Sequence, residues 1–336
     1  MRRSAASAGR AGVAFLLERQ DEDGLWRDFE TLAGASADWV TGYVGVHLRL
    51  AGAPRSHLDR AARALLERQR EDGGWGYHEG VPTDADSTAY AGLFLACGRW
   101  APPQAAGRVR RCLERHRQGG GGVATYAEER PIREYMELPA DHSIAGWCRA
   151  HVEVSAAAGL ALAALGGDGA PAWGFVRSRQ RPEGRWESYW WALPHYPTAV
   201  AVALATRLQG AAGAEEAAAR AVRWLAGAQH DDGTWPAAPG GPPDAFATAL
   251  AVGALARAGG PADRVARGAA ALAGLADADG GWTAEPALQI PPPDVEEPGD
   301  VRSWRTGGLG TAVVVGDGRR LYTTATAVGA LASAAR

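Results

Sequence analysis

The chain has 336 residues, of which 46% are hydrophobic, and its formal net charge is -3. This hydrophobic content supports a large buried core and excludes global disorder, and the small negative charge offers no positive field for a nucleic acid. The 35 basic side chains are all arginines, which excludes Schiff-base chemistry on a lysine and a phosphate-loop lysine. Three dispersed cysteines (Cys97, Cys112 and Cys148) are too few for a disulfide framework, so we expect a reducing, cytoplasmic location.

The N-terminal segment predicts a helix rather than a signal peptide. Met1-Arg2-Arg3 is followed by a short apolar run, Val13 to Leu17, which ends in Glu18-Arg19. Further along, no stretch reaches the roughly 18 to 20 apolar residues that a membrane span requires. We therefore expect no integral span, while peripheral contact with a membrane surface stays open.

A short motif recurs along the chain. Its copies are Gln20-x-x-x-Gly24-x-Trp26, Gln69 to Trp75, Gln180 to Trp186 and Gln229 to Trp235, with a copy that lacks the Gln at Ala276 to Trp282. The first two tryptophans stand 49 residues apart, as do those of the third and fourth copies, and the gap between the two pairs is about double. A degenerate copy is therefore expected at residues 117–122, which makes six repeats.

Each motif joins two helical stretches. An amphipathic helix precedes it, as in Leu58 to Gln69, and the motif Gly ends that helix because a left-handed backbone is cheap only for Gly. A more apolar helix follows, with a hydroxyl column that is predicted to cap its N-terminus: Thr41, Thr88, Ser155, Thr198, Thr248 and Thr324. Six outer-helix, turn and inner-helix units predict an all-α (α/α)6 barrel, a toroid that occupies residues 1–336 as a single domain. The motif tryptophans are predicted to be structural staples between helices.

Two connections are longer than the others, residues 119–150 and residues 284–320. Long loops in a compact repeat fold are often lids or binding loops. We expect one or both to cover the mouth of the barrel.

Two further columns carry the candidate chemistry. Two positions before the hydroxyls, the repeats read Trp39, Asp86, Glu153, Tyr196, Phe246 and Tyr322. Four positions before, they read Ala37, Asp84, His151, Pro194, Asp244 and Arg320. For any single member, capping or packing is the favoured explanation. As a set, the first column predicts a ring of acids and aromatics at one end of the central cavity.

The segment Pro82-Thr-Asp84-Ala-Asp86-Ser-Thr88-Ala89 resembles the Asp-x-Asp-Asp-Thr-Ala element of squalene–hopene cyclases and class II diterpene cyclases. The Gln-x-x-x-Gly-x-Trp turns resemble the repeat of the same superfamily. This resemblance implies that Asp86 protonates an alkene or epoxide and that Asp84 tunes it. Ser87 stands where the family has a third acid, and one barrel replaces the two of larger cyclases. The resemblance therefore implies a small single-barrel member and argues against a triterpene-sized substrate.

A general acid must be neutral before reaction. A dry cavity and the nearby Asp84 both disfavour the Asp86 anion and raise the pKa of its carboxyl. After proton transfer, the helix N-terminus stabilises the anion by roughly 0.3–1 kcal/mol, and Ser87 and Thr88 can assist. His151, or else His142, is a candidate to orient the proton of Asp86.

Aromatic faces can stabilise a carbocation by roughly 0.5–2 kcal/mol each. The predicted substrate-binding set is Trp39, Tyr43, Tyr90, Phe94, Glu153, Tyr196, Phe246 and Tyr322, with Trp190 and Trp191 nearby. Each aromatic residue is equally well explained as core filling. The predicted substrate is a linear isoprenoid of sesqui- to diterpene size, with or without an aromatic or polar head.

Two alternatives remain open. Protein prenyltransferases share the toroid, and Cys148, His142, His151 and Glu153 have the side-chain types of zinc ligands. The second alternative is a non-catalytic barrel that binds a lipophilic ligand or a protein. For the cyclase we expect no cofactor, apart from Mg²⁺ if the substrate is a diphosphate. Asp294, Glu296, Glu297 and Asp300 would then be candidate ligands, although the pattern favours a solvated acidic loop.

Overall fold

The computed structural model describes residues 3–336, so Met1 and Arg2 lie outside it. Twelve helices form two concentric rings. The inner ring consists of α2 (Asp38–Leu50), α4 (Ala85–Cys97), α8 (Val152–Ala164), α10 (His195–Arg207), α12 (Ala245–Arg257) and α14 (Leu321–Ala334). The outer ring consists of α1 (Ala5–Glu18), α3 (Arg55–Arg68), α5 (Pro103–Arg115), α9 (Ala170–Ser178), α11 (Ala214–Gly227) and α13 (Ala262–Gly274).

Both rings close on themselves. Each inner helix packs against the next in chain order, and α14 packs against α2. Each later outer helix packs chiefly on the inner helix that precedes it, and α1 packs on α14. The N-terminal helix thereby covers the last repeat, and the predicted (α/α)6 barrel is confirmed.

The motif turns explain why glycine recurs. Gly73 has φ +92°, and a Cβ there would lie 2.6 Å from the carbonyl oxygen of Arg108 on the next outer helix, so a side chain would be both strained and obstructed. Gly121 repeats this geometry with φ +83°. The degenerate copy therefore exists in the expected region, and Val123 stands where the other repeats have Trp.

The motif side chains tie the rings together. Trp75 Nε1 donates to the carbonyl of Leu65 at the end of the preceding outer helix (2.9 Å). Gln69 Nε2 donates to the carbonyls of Gly73 (2.9 Å) and, on the next outer helix, Ala105 (3.3 Å). Equivalent tryptophan bonds occur in four other repeats. The tryptophans are therefore staples between helices.

The hydroxyl column does not cap the inner helices, and that prediction was wrong. These helices begin three residues before the hydroxyls, so the N-caps lie four positions before them, in the column that contains Asp84 and Asp244. The hydroxyls lie in the first turn and accept the backbone N–H of the motif instead. Trp75 donates to Thr88 Oγ1 at 3.0 Å, and Val123 donates to Ser155 Oγ at 2.8 Å. The column is thus real, but it joins each turn to its inner helix.

The connections that lead into the inner helices carry short strands and helices. A hairpin forms from β1 (Asp28–Thr31) and β2 (Gly34–Ser36), and a second from β3 (Trp235–Pro236) and β4 (Pro243–Asp244). A three-stranded sheet has the order β5 (Leu288–Ile290), β7 (Val313–Val315), β6 (Arg305–Thr306), with β6 and β7 parallel. Residues 119–150 contain α6 (Glu129–Tyr135) and α7 (Ala145–Cys148), and a 3₁₀ turn spans Pro298–Asp300.

The two long connections meet over one end of the barrel. Trp147 Nε1 donates to the carbonyl of Pro291 (3.0 Å), and Arg149 pairs with Glu296 (2.7 Å). Together they form a roof over the N-terminal ends of the inner helices, which is the position predicted for a lid. Within residues 3–336, no helix has the length and apolar character needed to cross a membrane.

Candidate active site

A cavity of about 500 Å³ lies beneath this roof, and we call it the acid cavity. Its floor is formed by the first turn of α4 and by Trp39 of α2, and its walls come from the motif connections and both long segments. The residues that border it include Trp39, Tyr77, Asp84, Asp86, Ser87, Tyr126, Ile132, Met136, Glu137, Trp147, Trp190, Trp191, Leu288 and Ile290. The acid cavity is therefore a largely apolar, aromatic space with carboxyl groups at one side.

Asp86 is the second residue of α4 and borders the acid cavity. One of its oxygens, Oδ1, is buried without a hydrogen-bond partner within residues 3–336. Burial raises the pKa of the Asp86 carboxyl well above its ordinary value, and the negative charges of Asp84 and Glu153 raise it further. Both effects favour the protonated form of the carboxyl, which is the form that a general acid requires.

Asp84 differs from Asp86, because hydrogen bonds stabilise the ionised form of its carboxyl. As the N-cap of α4, it accepts the backbone N–H and the hydroxyl of Ser87, both at 2.7 Å. Burial raises its pKa to about 6, against the lowering effect of these bonds. Asp84 is therefore mainly ionised at pH 7, and its charge contributes to the raised pKa of Asp86. The Thr88 hydroxyl points elsewhere and bonds to the backbone of Trp75.

Glu153 occupies the same position in α8 that Asp86 occupies in α4. Its Oε1 accepts the backbone N–H groups of Tyr189 and Trp190, each at 2.8 Å, while its Oε2 is buried without a partner among the described residues. Burial is the first cause of its raised pKa. Glu153 thus holds in place the segment that carries Trp190 and Trp191, rather than bordering the acid cavity itself.

Two tryptophans dominate the aromatic wall. Trp191 stacks on Tyr196 with ring centroids 4.1 Å apart, and its ring lies 6.0 Å from that of Trp39. The wall also contains Tyr77, Tyr126 and Trp147, which the repeat alignment did not single out. The sequence could have placed Tyr77 near the cavity, because it follows the motif residue Trp75 by two positions. Every connection after a motif leads to the same end of the barrel. Tyr126 and Trp147 lie in a long segment without a repeat pattern.

A layer of tyrosines closes the bore below the acid cavity. The hydroxyl of Tyr196 lies 2.8 Å from that of Tyr90 and 3.0 Å from that of Tyr322, and the Tyr322 ring stacks on Tyr43 at 3.6 Å. Tyr43 and Tyr90 border a second cavity at the other end of the barrel. Of the predicted substrate-binding set, Trp39 is the member that borders the acid cavity among residues 3–336.

Two predicted aromatics are packed into the core. Phe246 lies behind the wall, 5.4 Å from Trp191, and Phe94 packs against Trp100 at 4.8 Å. Neither borders the acid cavity. Their predicted contact with substrate stays a prediction.

His151 is buried away from the acid cavity. Its ring stacks on Tyr189 at 3.9 Å, and burial lowers its pKa to about 3, so the ring is neutral at physiological pH. Within the described part of the chain, no three His, Cys, Asp or Glu side chains are grouped to hold a metal ion, so Cys148, His142 and His151 form no such set. In the acidic loop, Glu296 and Glu297 face Arg149 at 2.7 and 3.5 Å.

Comparisons with known proteins agree with this geometry. The type II terpene cyclase MstE from Scytonema, solved with geranylgeranyl dihydroxybenzoate as substrate, is 32% identical, and the match covers 98% of this chain and 97% of that one with a TM-score of 0.88. A protein from Actinoplanes is 34% identical over 99% of this chain and 100% of its own, also with a TM-score of 0.88. Residues 170–284 match the squalene-hopene cyclase N-terminal domain family.

A drimenyl diphosphate synthase from Streptomyces showdoensis is 32% identical over 229 residues, which are 65% of this chain and 39% of that enzyme. The chain therefore spans less than half of this relative. The chain thus combines a helical barrel of the terpene cyclase type with an aspartic acid beside an aromatic cavity. The chain belongs to the type II terpene cyclase family, and the described residues form one barrel.

Proposed function

We propose that this chain catalyses the protonation-initiated cyclisation of a linear isoprenoid, with Asp86 as the general acid. The observation that carries the proposal is the position of Asp86. Its carboxyl borders an aromatic cavity, and burial together with Asp84 and Glu153 raises its pKa and so favours the protonated form. The neighbouring anion of Asp84 retains this proton until an alkene or epoxide is positioned to accept it.

The reaction begins when the Asp86 proton moves to a carbon of the terminal double bond. The π electrons form the new C–H bond and leave a tertiary carbocation, which the next double bond attacks to form a C–C bond. The sequence ends when a C–H proton leaves to water or a carboxylate, so the product is an isomer of the substrate. The faces of Trp39 and Trp191 stabilise the intermediate cations by roughly 0.5–2 kcal/mol each.

The substrate that we propose has a sesqui- to diterpene chain and an uncharged or aromatic head. A cavity of about 500 Å³ is within the usual range for small-molecule sites. Its border carries the acids Asp84, Asp86 and Glu137 and no Arg or His among the described residues, which disfavours a diphosphate next to the reacting chain. The substrate of MstE, geranylgeranyl dihydroxybenzoate, has this composition, and such a head requires no Mg²⁺.

The mouth of the acid cavity supports peripheral membrane contact as part of the proposal. Three large apolar side chains are exposed around it, Leu32 (71%), Tyr135 (40%) and Leu309 (53%). Exposed apolar side chains at a rim are typical of surfaces that admit lipophilic ligands. We expect parent protein to co-sediment with phosphatidylcholine vesicles and Leu32→Ser/Leu309→Ser protein to do so at least threefold less. Equal co-sedimentation of the parent and the double variant would refute the proposed membrane contact.

The test of the cyclase activity uses geranylgeranyl dihydroxybenzoate and geranylgeranyl diphosphate in separate reactions, in H₂O and in D₂O, analysed by mass spectrometry. We expect the first substrate to give a cyclic isomer that is one deuterium heavier in D₂O. Asp86→Asn should lower the rate by at least 100-fold, as removal of a general acid does.

Each outcome of this test separates the alternatives. Undiminished cyclisation by Asp86→Asn would refute the general-acid assignment, and preferential cyclisation of the diphosphate would refute the proposed head group. Binding of both compounds without turnover would favour the non-catalytic barrel. Metal analysis of active protein tests the zinc-dependent alternative, because stoichiometric zinc would favour it.

A further inference from the structure

A second cavity, of about 760 Å³, opens at the C-terminal ends of the inner helices, and we call it the arginine cavity. The tyrosine layer separates it from the acid cavity. Tyr43 and His47 lie at its inner end, and its walls are aliphatic, with Leu93, Leu160 and Leu250 among them. The cavity therefore offers a long apolar space that the cyclisation chemistry does not use.

Four arginines border this space: Arg49, Arg207, Arg257 and Arg336. They come from α2, α10, α12 and the residue two positions after α14, and thus from different sides of the ring. All four residues line the same cavity. Arg257 acts on the pKa of His47, and Arg49, Arg207 and Arg257 all act on that of the Cys97 thiol.

These arginines have unused hydrogen-bonding capacity. None of the four forms an ion pair with any residue from 3 to 336, and no Asp or Glu borders the cavity. Arg207 and Arg336 each donate to one carbonyl, those of Ala163 (3.3 Å) and Leu50 (2.8 Å), which leaves most of their N–H groups available. Guanidinium groups bind phosphate and carboxylate in a bidentate manner, and they do so most strongly where water is partly excluded.

Compensation of helix dipoles is the simplest alternative. Arginine in the last turn of a helix stabilises the negative C-terminal end by roughly 0.3–1 kcal/mol. This effect does not require the arginines to line a common cavity, nor an aliphatic wall between them. The combination of the two is the arrangement that an amphipathic anion needs, since the chain is buried while the head is neutralised.

We propose that the arginine cavity binds an amphipathic anion, a single alkyl or isoprenyl chain of about ten carbons or more with a phosphate or carboxylate head. The chain lies along Leu93, Leu160 and Leu250, and Arg207 and Arg257 hold the head. His47 is neutral at physiological pH, because burial lowers its pKa to about 3, so the arginines supply the positive charge. This site is independent of the proposed cyclase activity.

Cys97 provides a local probe, because it is exposed and borders the arginine cavity, whereas Cys148 lies near the roof at the other end. Full-length protein is alkylated with iodoacetamide in the presence of increasing decyl phosphate, and modification of each cysteine is followed by mass spectrometry. We expect decyl phosphate to protect Cys97 and not Cys148. Decanol and inorganic phosphate, which carry only the chain or only the charge, should protect at least tenfold less well.

Arg207→Gln/Arg257→Gln should raise the half-protecting concentration of decyl phosphate at least tenfold. The matched control is Arg63→Gln/Arg223→Gln, which removes two exposed arginines from the outer helices and should leave that concentration unchanged. Calorimetric titration of decyl phosphate gives a second measurement that does not depend on thiol reactivity. Equal protection by decanol, an unaffected double variant, or protection only by anionic vesicles would overturn the proposal.

Discussion

Asp86 and Glu153 occupy the same position in neighbouring inner helices, and each carboxyl keeps one buried oxygen without a hydrogen-bond partner within residues 3–336. The charge of Glu153 raises the pKa of Asp86. The family element has a third acid where this chain has Ser87, so the next repeat supplies an acid that the local motif lacks. Glu153 is therefore a candidate positioning residue for the proton of Asp86.

The first prediction concerns Glu153→Gln. The Gln carbonyl can still accept the N–H groups of Tyr189 and Trp190, while the negative charge is lost. The pKa of Asp86 should then fall, and the alkaline limb of kcat/KM should move to lower pH by roughly 0.5–1 unit. The control is Glu187→Gln on the same connection, an acid that is exposed and paired with Arg185 at 2.5 Å. If the alkaline limb of kcat/KM did not move, Glu153 would have only a structural role.

The second prediction compares two aspartates with the same backbone role. Asp84 and Asp244 both cap an inner helix and accept an N–H three residues later at 2.7 Å. Asn is an equally good N-cap, so both Asp→Asn variants should retain stability within about 0.5 kcal/mol. Asp84→Asn should lower kcat at pH 7 by about tenfold, because it removes the charge that maintains the Asp86 proton. Asp244→Asn should not, and equal losses would assign the effect to capping.

The third prediction concerns the aromatic wall. Trp191→Leu removes a face from the acid cavity, and we expect kcat to fall about 2–30-fold, which corresponds to roughly 0.5–2 kcal/mol of cation stabilisation. Poorer shielding should also increase hydroxylated products, in which water has captured a cation. Phe94→Leu is the matched control, since Phe94 packs against Trp100 away from this cavity. It should lower the melting temperature and leave the product ratio unchanged, and a changed ratio would place Phe94 in contact with substrate.

The repeat motif made the fold predictable. Gln, Gly and Trp at fixed spacing define a turn, in which Gly adopts the left-handed backbone and Trp holds the adjoining helices together. Because this turn recurs along the chain, the barrel could be predicted from the motif. The degenerate copy was located although Val123 replaces Trp, because the spacing of the other copies required it. The shared level of Asp86 and Glu153 could also be predicted from the sequence, because superimposed repeats place both residues at the same height in the barrel.

The side chains that close the centre of the barrel were harder to predict from the sequence. Tyr43 and Tyr90 do share a level, as predicted, but that level lies beyond the hydroxyl layer of Tyr196 and Tyr322. An alignment gives depth along each helix, whereas closure of the bore depends on side chains from several helices at once. Half of the wall also comes from connections such as those of Tyr126 and Trp147, which have no counterpart in other repeats.

The fourth prediction concerns stability against pH, because buried histidines and buried acids act in opposite directions. Burial lowers the pKa of His47 and His151 to about 3 and that of His116 and His195 to about 4. The unfolded state, with an ordinary histidine pKa of about 6.5, binds more protons than the native state below that pH. Their contribution to the free energy of unfolding therefore rises with pH and is complete near pH 6.5.

Asp86 and Asp317 act in the opposite sense, because burial and neighbouring carboxylates raise their pKa. The native state then binds more protons than the unfolded state at every pH between the ordinary value of about 4 and the raised value, so these acids lower stability as pH rises. Above pH 6.5 this loss is no longer opposed by the histidines. Urea unfolding between pH 6.5 and 8.5 should show a decreasing free energy of unfolding in the parent and a shallower decrease in Asp86→Asn. Asp263→Asn, at an exposed position on α13, should keep the parent slope. If Asp86→Asn kept it as well, the Asp86 carboxyl would already be ionised in the native state, and the proton on which cyclisation depends would be absent.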